Sequence, residues 1–445
     1  MSLRAKIDSA LWVLGPQAVM VLLKLMSIYV LSRVLDPEAY GAILIVMSIF
    51  TLIELMSDVG LRGSVINNPR GESDPAFVNT IWTLKVIRGV LIAGVLLLIS
   101  TFAHLIYPDV EHINDFMCIA AFNAFILGFA STKLHQMERQ MQMMRPALMQ
   151  IFVRAAALLC TIQFAKREPS AAAILWGESV AAVATVLLSH GFLQGTRNAF
   201  FIEKNSLSVV FNYGKWIFLA TLLTWGVQEG NKLLLGVVMG LQILGFYSMA
   251  WNISSFVKTF LTQFANRWTF PMYATLIKSP ALDITALRIR LVIVLFAGLS
   301  VVILGGFSNL IVEQFLDERY VSVAPFITII AIGSIGLIVS DCYMPIFKAN
   351  ADSFGLLKMR FSQTLILGLC LFVGWKLRAV EGIVIGAAFG QLIMGPVTAF
   401  CARVHFKKKR YLFDSVVYVL PFLIWLVLDI NLLTEVCHEH QNCSK

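Results

Sequence analysis

The sequence predicts an all-α integral membrane protein, and three observations carry that prediction. Of its 445 residues 58% are hydrophobic and 14% charged, where soluble domains carry about 25% charged residues. Apolar runs of about 18 residues or more, each enough to cross a hydrocarbon core of about 30 Å, recur along the chain. Lysine and arginine crowd into every second connection between those runs, the pattern that orients helical membrane proteins. The regular alternation of a membrane β-barrel is missing.

Taken in order, the first run covers 9–32. Its flank MSLRAKIDSALWVLGPQAVM has no small-residue cleavage site, so a retained helix is expected rather than a removable signal. The second run, 39–58, follows the turn residues of DPEAYG, and runs at 86–107, 114–132, 146–165 and 170–191 complete a set of six. A polar stretch at 192–208, FLQGTRNAFFIEKNSLS, then interrupts the chain. Beyond it lie 209–237, 241–265, 287–312, 322–346, 357–375 and 382–402, a second set of six. A thirteenth, 413–434, follows the basic cluster RVHFKKKR. The domain reading is therefore an N-terminal six-helix lobe at 1–192, a linker at 193–208, a C-terminal six-helix lobe at 209–402, a basic loop at 403–410, and an additional helix with a short tail at 411–445. Two equal sets suggest an internal repeat, as in many transporters.

With a cytoplasmic N-terminus, the inner segments hold Arg4, Lys6, Arg62, Arg70, Lys133, Arg139, Arg145, Arg197, Lys204, the group from Arg267 to Arg290, Lys348, Lys358, Arg360 and the 403–410 cluster. The outer loops hold far fewer, and DVEHINDF at 109–116 holds none. The formal charge of +9 thus reads as orientation, not as a nucleic-acid surface. The C-terminus falls outside, where Cys437, His438, His440 and Cys443 suit a disulfide or two thiols better than a metal site.

A few charges fall inside the runs. Lys24, Arg154, Lys232 and Lys258 are the cations; Glu54, Asp58, Glu178, Glu229 and Asp341 are the acids. Each costs about 2.5–3.5 kcal/mol at mid-bilayer on insertion scales, so most are expected to face protein or a wet cavity. Helical spacing groups them. Ser48, Thr51, Glu54 and Asp58 form one stripe; Thr221, Thr224, Gln228 and Lys232 another; Tyr247, Trp251, Ser254, Lys258 and Thr262 a third. The competing reading is that these groups join helices by hydrogen bonds or ion pairs, with Glu229 and Lys232 neutralising each other at i, i+3.

The segment SIYVLSRVLDPEAYGAILIVMSIFTLIELMSDVGLRGSVI carries an Arg-x-Leu before an acidic turn, then Tyr-Gly, then Asp-x-Gly-Leu; LLLGVVMGLQILGFYSMAW carries Leu-Gly-x-Tyr-x-x-Ala. In these features the chain resembles bacterial polysaccharide repeat-unit flippases of the multidrug/oligosaccharidyl-lipid/polysaccharide (MOP) exporter superfamily, and its start and basic tail resemble the colanic-acid and exopolysaccharide branch. It departs in having Gln228-Glu229-Gly230-Asn231-Lys232 where relatives often carry Arg-x-Asp, and thirteen spans where the family reaches fourteen. The resemblance implies two six-helix lobes around a central cavity in the bacterial inner membrane. The implied cargo is an undecaprenyl-diphosphate-linked oligosaccharide, moved to the periplasmic leaflet for O-antigen, capsule or exopolysaccharide, beside a polymerase and a chain-length regulator.

A diphosphate needs cations that hold it without closing on one shape. Lys24, Lys232 and Lys258 are the expected binders, with Arg154 and Gln228 beside them, and Tyr247 and Trp251 as surfaces for sugar rings. No cofactor is expected beyond a coupling proton or sodium ion, for which Glu54, Asp58, Glu178, Glu229 and Asp341 are candidates. Peptidoglycan-precursor flippases and multidrug antiporters share the implied architecture, but an antiporter for cationic drugs would want an acidic cavity. A polyprenyl-linked glycosyltransferase or polymerase would want an Asp-x-Asp or a large outer loop, and neither is present; nor is a GxxxxGK[ST]. An acyltransferase-like spacing from His104 to Asp109 has no supporting motif.

Overall fold

The computed structural model describes residues 3–57, 60–72, 74–140, 142–208, 230–238, 240–276, 281–350 and 352–405. Its helices are α1 Leu3–Ser32, α2 Pro37–Met56, α3 Leu61–Asn67, α4 Pro75–Ser100, α5 Ala103–Ile106, α6 Ile113–Gly128, α7 Lys133–Arg139, α8 Met144–Arg167 and α9 Ala171–Gly191. Then follow α10 Gly230–Val238, α11 Leu241–Leu276, α12 Ala281–Gly306, α13 Ser308–Phe315, α14 Ala324–Ala349 and α15 Ser353–Ala402. No strand occurs among the described residues. Among the described residues, eight helical stretches are long and apolar enough to cross a membrane; α6 and α7, bent by 60° at their junction, make a ninth if taken as one broken span. The expected runs at 209–237, in most of its length, and at 413–434 lie outside the described residues.

Local chemistry sets the helix ends. Pro75 occupies the first helical position of α4, and the Asp74 carboxylate accepts from the Ala76 and Phe77 N–H groups, filling donors that a helix start leaves open. That cap moves the third span to Pro75–Ser100, eleven residues earlier than the apolar run at 86–107 predicts. Lys85 and Arg88 are therefore interior to that span. Asp352 likewise accepts from the Gly355 N–H at 2.7 Å and starts α15, which places Arg360 two turns inside a helix rather than in a loop.

The 50 residues of α15 would reach about 75 Å if straight, far beyond one bilayer. The chain instead doubles back, giving two spans, Phe354–Arg378 and Gly382–His405. Gly374 lies against Gly382, Gly386 against the Cys370 carbonyl and Gly390 against Leu367 and Cys370. Small residues let these backbones touch, and in lipid such packing replaces hydrophobic burial as the force between helices. Gly386→Leu is expected to cost about 1–3 kcal/mol by overpacking, read as a lower melting temperature in detergent. Gly368→Leu, at a position with nothing within 4 Å, should leave it unchanged.

The described residues fall into two compact units. One holds those before position 226 together with Lys232–Gly245; the other holds Gly230 and Asn231 together with those from Phe246 onward. In the first unit, α4 and α6 cross at Gly89 and Gly128, where a Cβ on Gly89 would sit 2.7 Å from the Gly128 Cα. The end of α10 packs on α2: a Cβ on Gly236 would meet the Ile45 side chain at 3.0 Å, and Gly41 lies against the Leu241 carbonyl. Large apolar side chains such as Leu91, Leu98, Phe152 and Leu187 point outward, as a lipid-facing surface requires. In the second unit, Tyr343, Ile346, Phe347 and Met359 are buried together in the α12, α14 and α15 core.

Candidate functional site

In the first unit the structure brings Lys24 of α1 and Lys232 of α10 close enough for their charges to interact. Lys232 is only 5% exposed, held between helices, and Lys24 is half-buried. Two like charges that act on each other in a helical interior raise the local attraction for an anion.

Other charged groups of the first unit meet backbone and side-chain partners of their own. The Glu54 carbonyl and the Ser57 hydroxyl accept from the Arg88 guanidinium, so an α4 cation closes the C-terminal end of α2, where the helix dipole favours positive charge. Lys85 donates to the Ala130 carbonyl at 2.9 Å, beyond the end of α6. Arg154 of α8 and Glu178 of α9 form an ion pair at 2.8 Å, with half the arginine side chain exposed. Each thus has a charge partner before any cargo or ion is invoked. Arg154→Gln and Glu178→Gln together should express and melt like the wild type within about 1 kcal/mol; each alone should do worse than the pair. A double variant worse than both singles would show that the two side chains act separately.

In the second unit, the predicted α11 stripe splits. Tyr247 is 1% exposed and lies near-parallel to Trp251, with centroids 6.3 Å apart. Lys258 Nζ sits 5.8 Å from the Trp251 ring centroid, a cation–π arrangement. Ser254 donates to the Ile327 carbonyl of α14 at 3.2 Å. Of the two aromatic surfaces expected for sugars, Tyr247 is therefore enclosed and Trp251 is the one that is partly open.

Further along the same stripe, Thr262 donates to Asp341 at 2.9 Å. Asp341 then leads into a network that sequence reading missed. Arg360, 4% exposed, lies 4.0 Å from Asp341 and donates to Gln363 at 2.9 Å. Gln363 donates to the hydroxyls of Ser340 and Thr398 at 2.7 and 2.6 Å. Arg290, equally buried, stacks its guanidinium 4.6 Å from the Tyr343 ring centroid. The signal was available: an acid alone in an apolar run needs a partner, and Arg360 and Gln363 share a helix face at i, i+3. Asp58, Gln228 and Glu229 lie outside the described residues, as does the Cys437–Cys443 tail. Among the described residues, no three His, Cys, Asp or Glu side chains converge as metal ligands.

Comparison with known proteins places this architecture. The chain is 22% identical over 411 residues to the lipopolysaccharide biosynthesis protein WzxC of Escherichia coli K12, covering 88% of this chain and 80% of that protein. Its fold is similar to that of a multidrug resistance MATE family transporter of the MOP superfamily, solved in an inward-facing conformation, with a TM-score of 0.68 at 12% identity over 89% of this chain and 97% of the other. It is also similar to that of the lipid II flippase MurJ, solved in an inward closed conformation, with a TM-score of 0.62 at 11% identity over 95% and 98%. The all-helical membrane fold and the resemblance read from the Tyr-Gly and Asp-x-Gly-Leu segment are both upheld. The polysaccharide biosynthesis protein family matches residues 30–325, two-thirds of the chain, and this multi-pass membrane protein belongs to that family.

Proposed function

We propose that the protein is a flippase for lipid-linked oligosaccharide repeat units, carrying an undecaprenyl-diphosphate headgroup from the cytoplasmic to the periplasmic leaflet of a bacterial inner membrane. The observation that carries the reading is the pairing of Lys24 with Lys232. These two cations, from opposite halves of the sequence, act on each other inside a helical membrane unit. A diphosphate with about two negative charges suits such a pair: ammonium groups hold phosphate as point charges on flexible stems. Trp251, with Lys258 over its ring, offers an apolar face and a charge of the kind that suits a sugar–phosphate junction.

An inside-negative potential favours moving that charge outward by about 2.3 kcal/mol per charge per 100 mV. The unloaded protein must return by alternating access, and inward movement of a proton or sodium ion would drive the return. Asp341 is the coupling candidate best supplied with neighbours, through Thr262 and Arg360. This is transport chemistry: no bond of the cargo is made or broken. WzxC, a lipopolysaccharide biosynthesis protein by name, and MurJ, a lipid II flippase, support the cargo class. The test is complementation of a strain lacking its repeat-unit flippase, scored by surface polysaccharide. Restoration is expected, and failure by a protein that reaches the membrane intact would overturn the proposal.

A further inference from the structure

The linker read from the sequence as a divider is tied down along the edge of the first unit. From Ala199 to Glu203 alternate backbone N–H groups face α4: Ala199 donates to the Asn79 side chain, Phe201 to the Thr83 hydroxyl and Glu203 to the Thr80 hydroxyl, at 3.0–3.1 Å. The two hydroxyls pass their own protons to carbonyls one turn back, Ala76 for Thr80 and Asn79 for Thr83, so each serves helix and linker at once. At one end, Gln136 accepts from the Thr196 N–H and Asn198 engages Ser131 and Thr132. At the other, Arg70 bridges Asp74 and Glu203, both at 2.6 Å. Asp74 is held below the usual carboxylate range chiefly by Arg70, and Glu203 chiefly by the Ser206 hydroxyl, so that bridge is ionised at neutral pH.

What this strap presents outward is apolar. Phe200, Phe201 and Ile202 are 66%, 49% and 50% exposed, although only the backbone of Phe201 is needed for the attachment. Arg197 and Lys204 flank them, both exposed. The triplet also continues a surface that already meets lipid. Phe201 is bonded at Thr83, and one turn further along α4 begins the outward row Ile87, Val90 and Leu91. Phe200 sits 4.8 Å from the Trp82 ring, and Trp is a residue of membrane interfaces. An apolar triplet between cations, at the end of a lipid-facing helix, has the chemistry of an interfacial anchor to an anionic leaflet.

We propose that Phe200, Phe201 and Ile202 form a fixed wedge in the headgroup region of the bilayer, with Arg197 and Lys204 on anionic lipid headgroups. The linker would then be an interfacial anchor of the first unit rather than a free tether. This does not depend on the cargo.

The test places p-benzoylphenylalanine at Phe201, and separately at Ile202, in the full chain. The protein is reconstituted in bilayers of phosphatidylcholine and phosphatidylglycerol at three to one, about a quarter anionic. Illumination and intact mass measurement read the adducts, with a probe at Glu111, 91% exposed in a polar loop, as control. Phospholipid adducts are expected at 201 and 202 at roughly ten times the control level, with phosphatidylglycerol over-represented about two- to five-fold. Arg197→Ser with Lys204→Ser should return that share to the bilayer proportion while adduct formation persists. Adducts no higher than at Glu111, or adducts to a second copy of the chain, would overturn the proposal. If one probe prevents folding, as judged by elution in size-exclusion chromatography, the other decides.

Discussion

Arg360→Ala is expected to be the most damaging single change in the second unit, lowering stability by about 3–5 kcal/mol. Arg360 is 4% exposed, and its guanidinium reaches Asp341, Gln363 and the Met344 sulfur. Removing it leaves the Asp341 carboxylate with the Thr262 hydroxyl but without a cation 4.0 Å away. It also releases Gln363, which bridges Ser340 of α14 and Thr398 of the second α15 span. The fluorescence-detected melting temperature in detergent should fall by several degrees, with loss of the monodisperse peak. Arg360→Lys should lie between, keeping the charge but losing the planar fork. Asp341→Asn on top of Arg360→Ala should recover part of the loss, because the stranded carboxylate is gone. A melting temperature for Arg360→Ala within one degree of the wild type would mean the network contributes nothing to the fold.

The second large effect is on transport rather than stability. Lys24→Ala and Lys232→Ala should each reduce complementation, and together should abolish it while the protein still reaches the membrane. A charge-assisted contact to phosphate is worth about 1.5–3 kcal/mol, roughly ten- to a hundred-fold in affinity per lysine. The double variant should still elute as a monodisperse species in detergent while activity disappears, so that the loss reads as transport and not as unfolding. Lys→Arg at either position should retain most activity if charge is what matters. Full complementation by the double alanine variant would remove these lysines from the mechanism.

How much of this was legible in the sequence depends on which physics sets each feature. Long apolar runs follow from hydropathy, which depends only on local composition, so those that became α2, α8 and α9 can be read directly. The third span was misplaced because its beginning is fixed by a cap. Asp74 and Pro75 start a helix eleven residues before the apolar run does, and with them Lys85 and Arg88 move inside. Arg360 was misread for the same reason, since ANADSFGLLK reads as a loop until Asp352 is seen to cap a helix. Lys24 and Lys232 stand out in the sequence as cations inside apolar runs. That Lys232 packs with the first unit could not be seen, because nothing local to α10 says that Gly236 will meet Ile45.

The packing of α10 and the first turn of α11 on α2 has a consequence for how the chain is made. The first unit draws its last packing partners, Leu241 against Gly41 and Gly245 against Pro37, from beyond the linker. A nascent chain cut at residue 208 has every helix from α1 to α9 but not the segment that closes over α2. The α2 face of the first unit therefore stays uncovered until the chain has been made to about residue 245. A fragment 1–208 would leave α2 without these partners until a fragment 209–445 supplied them in the bilayer.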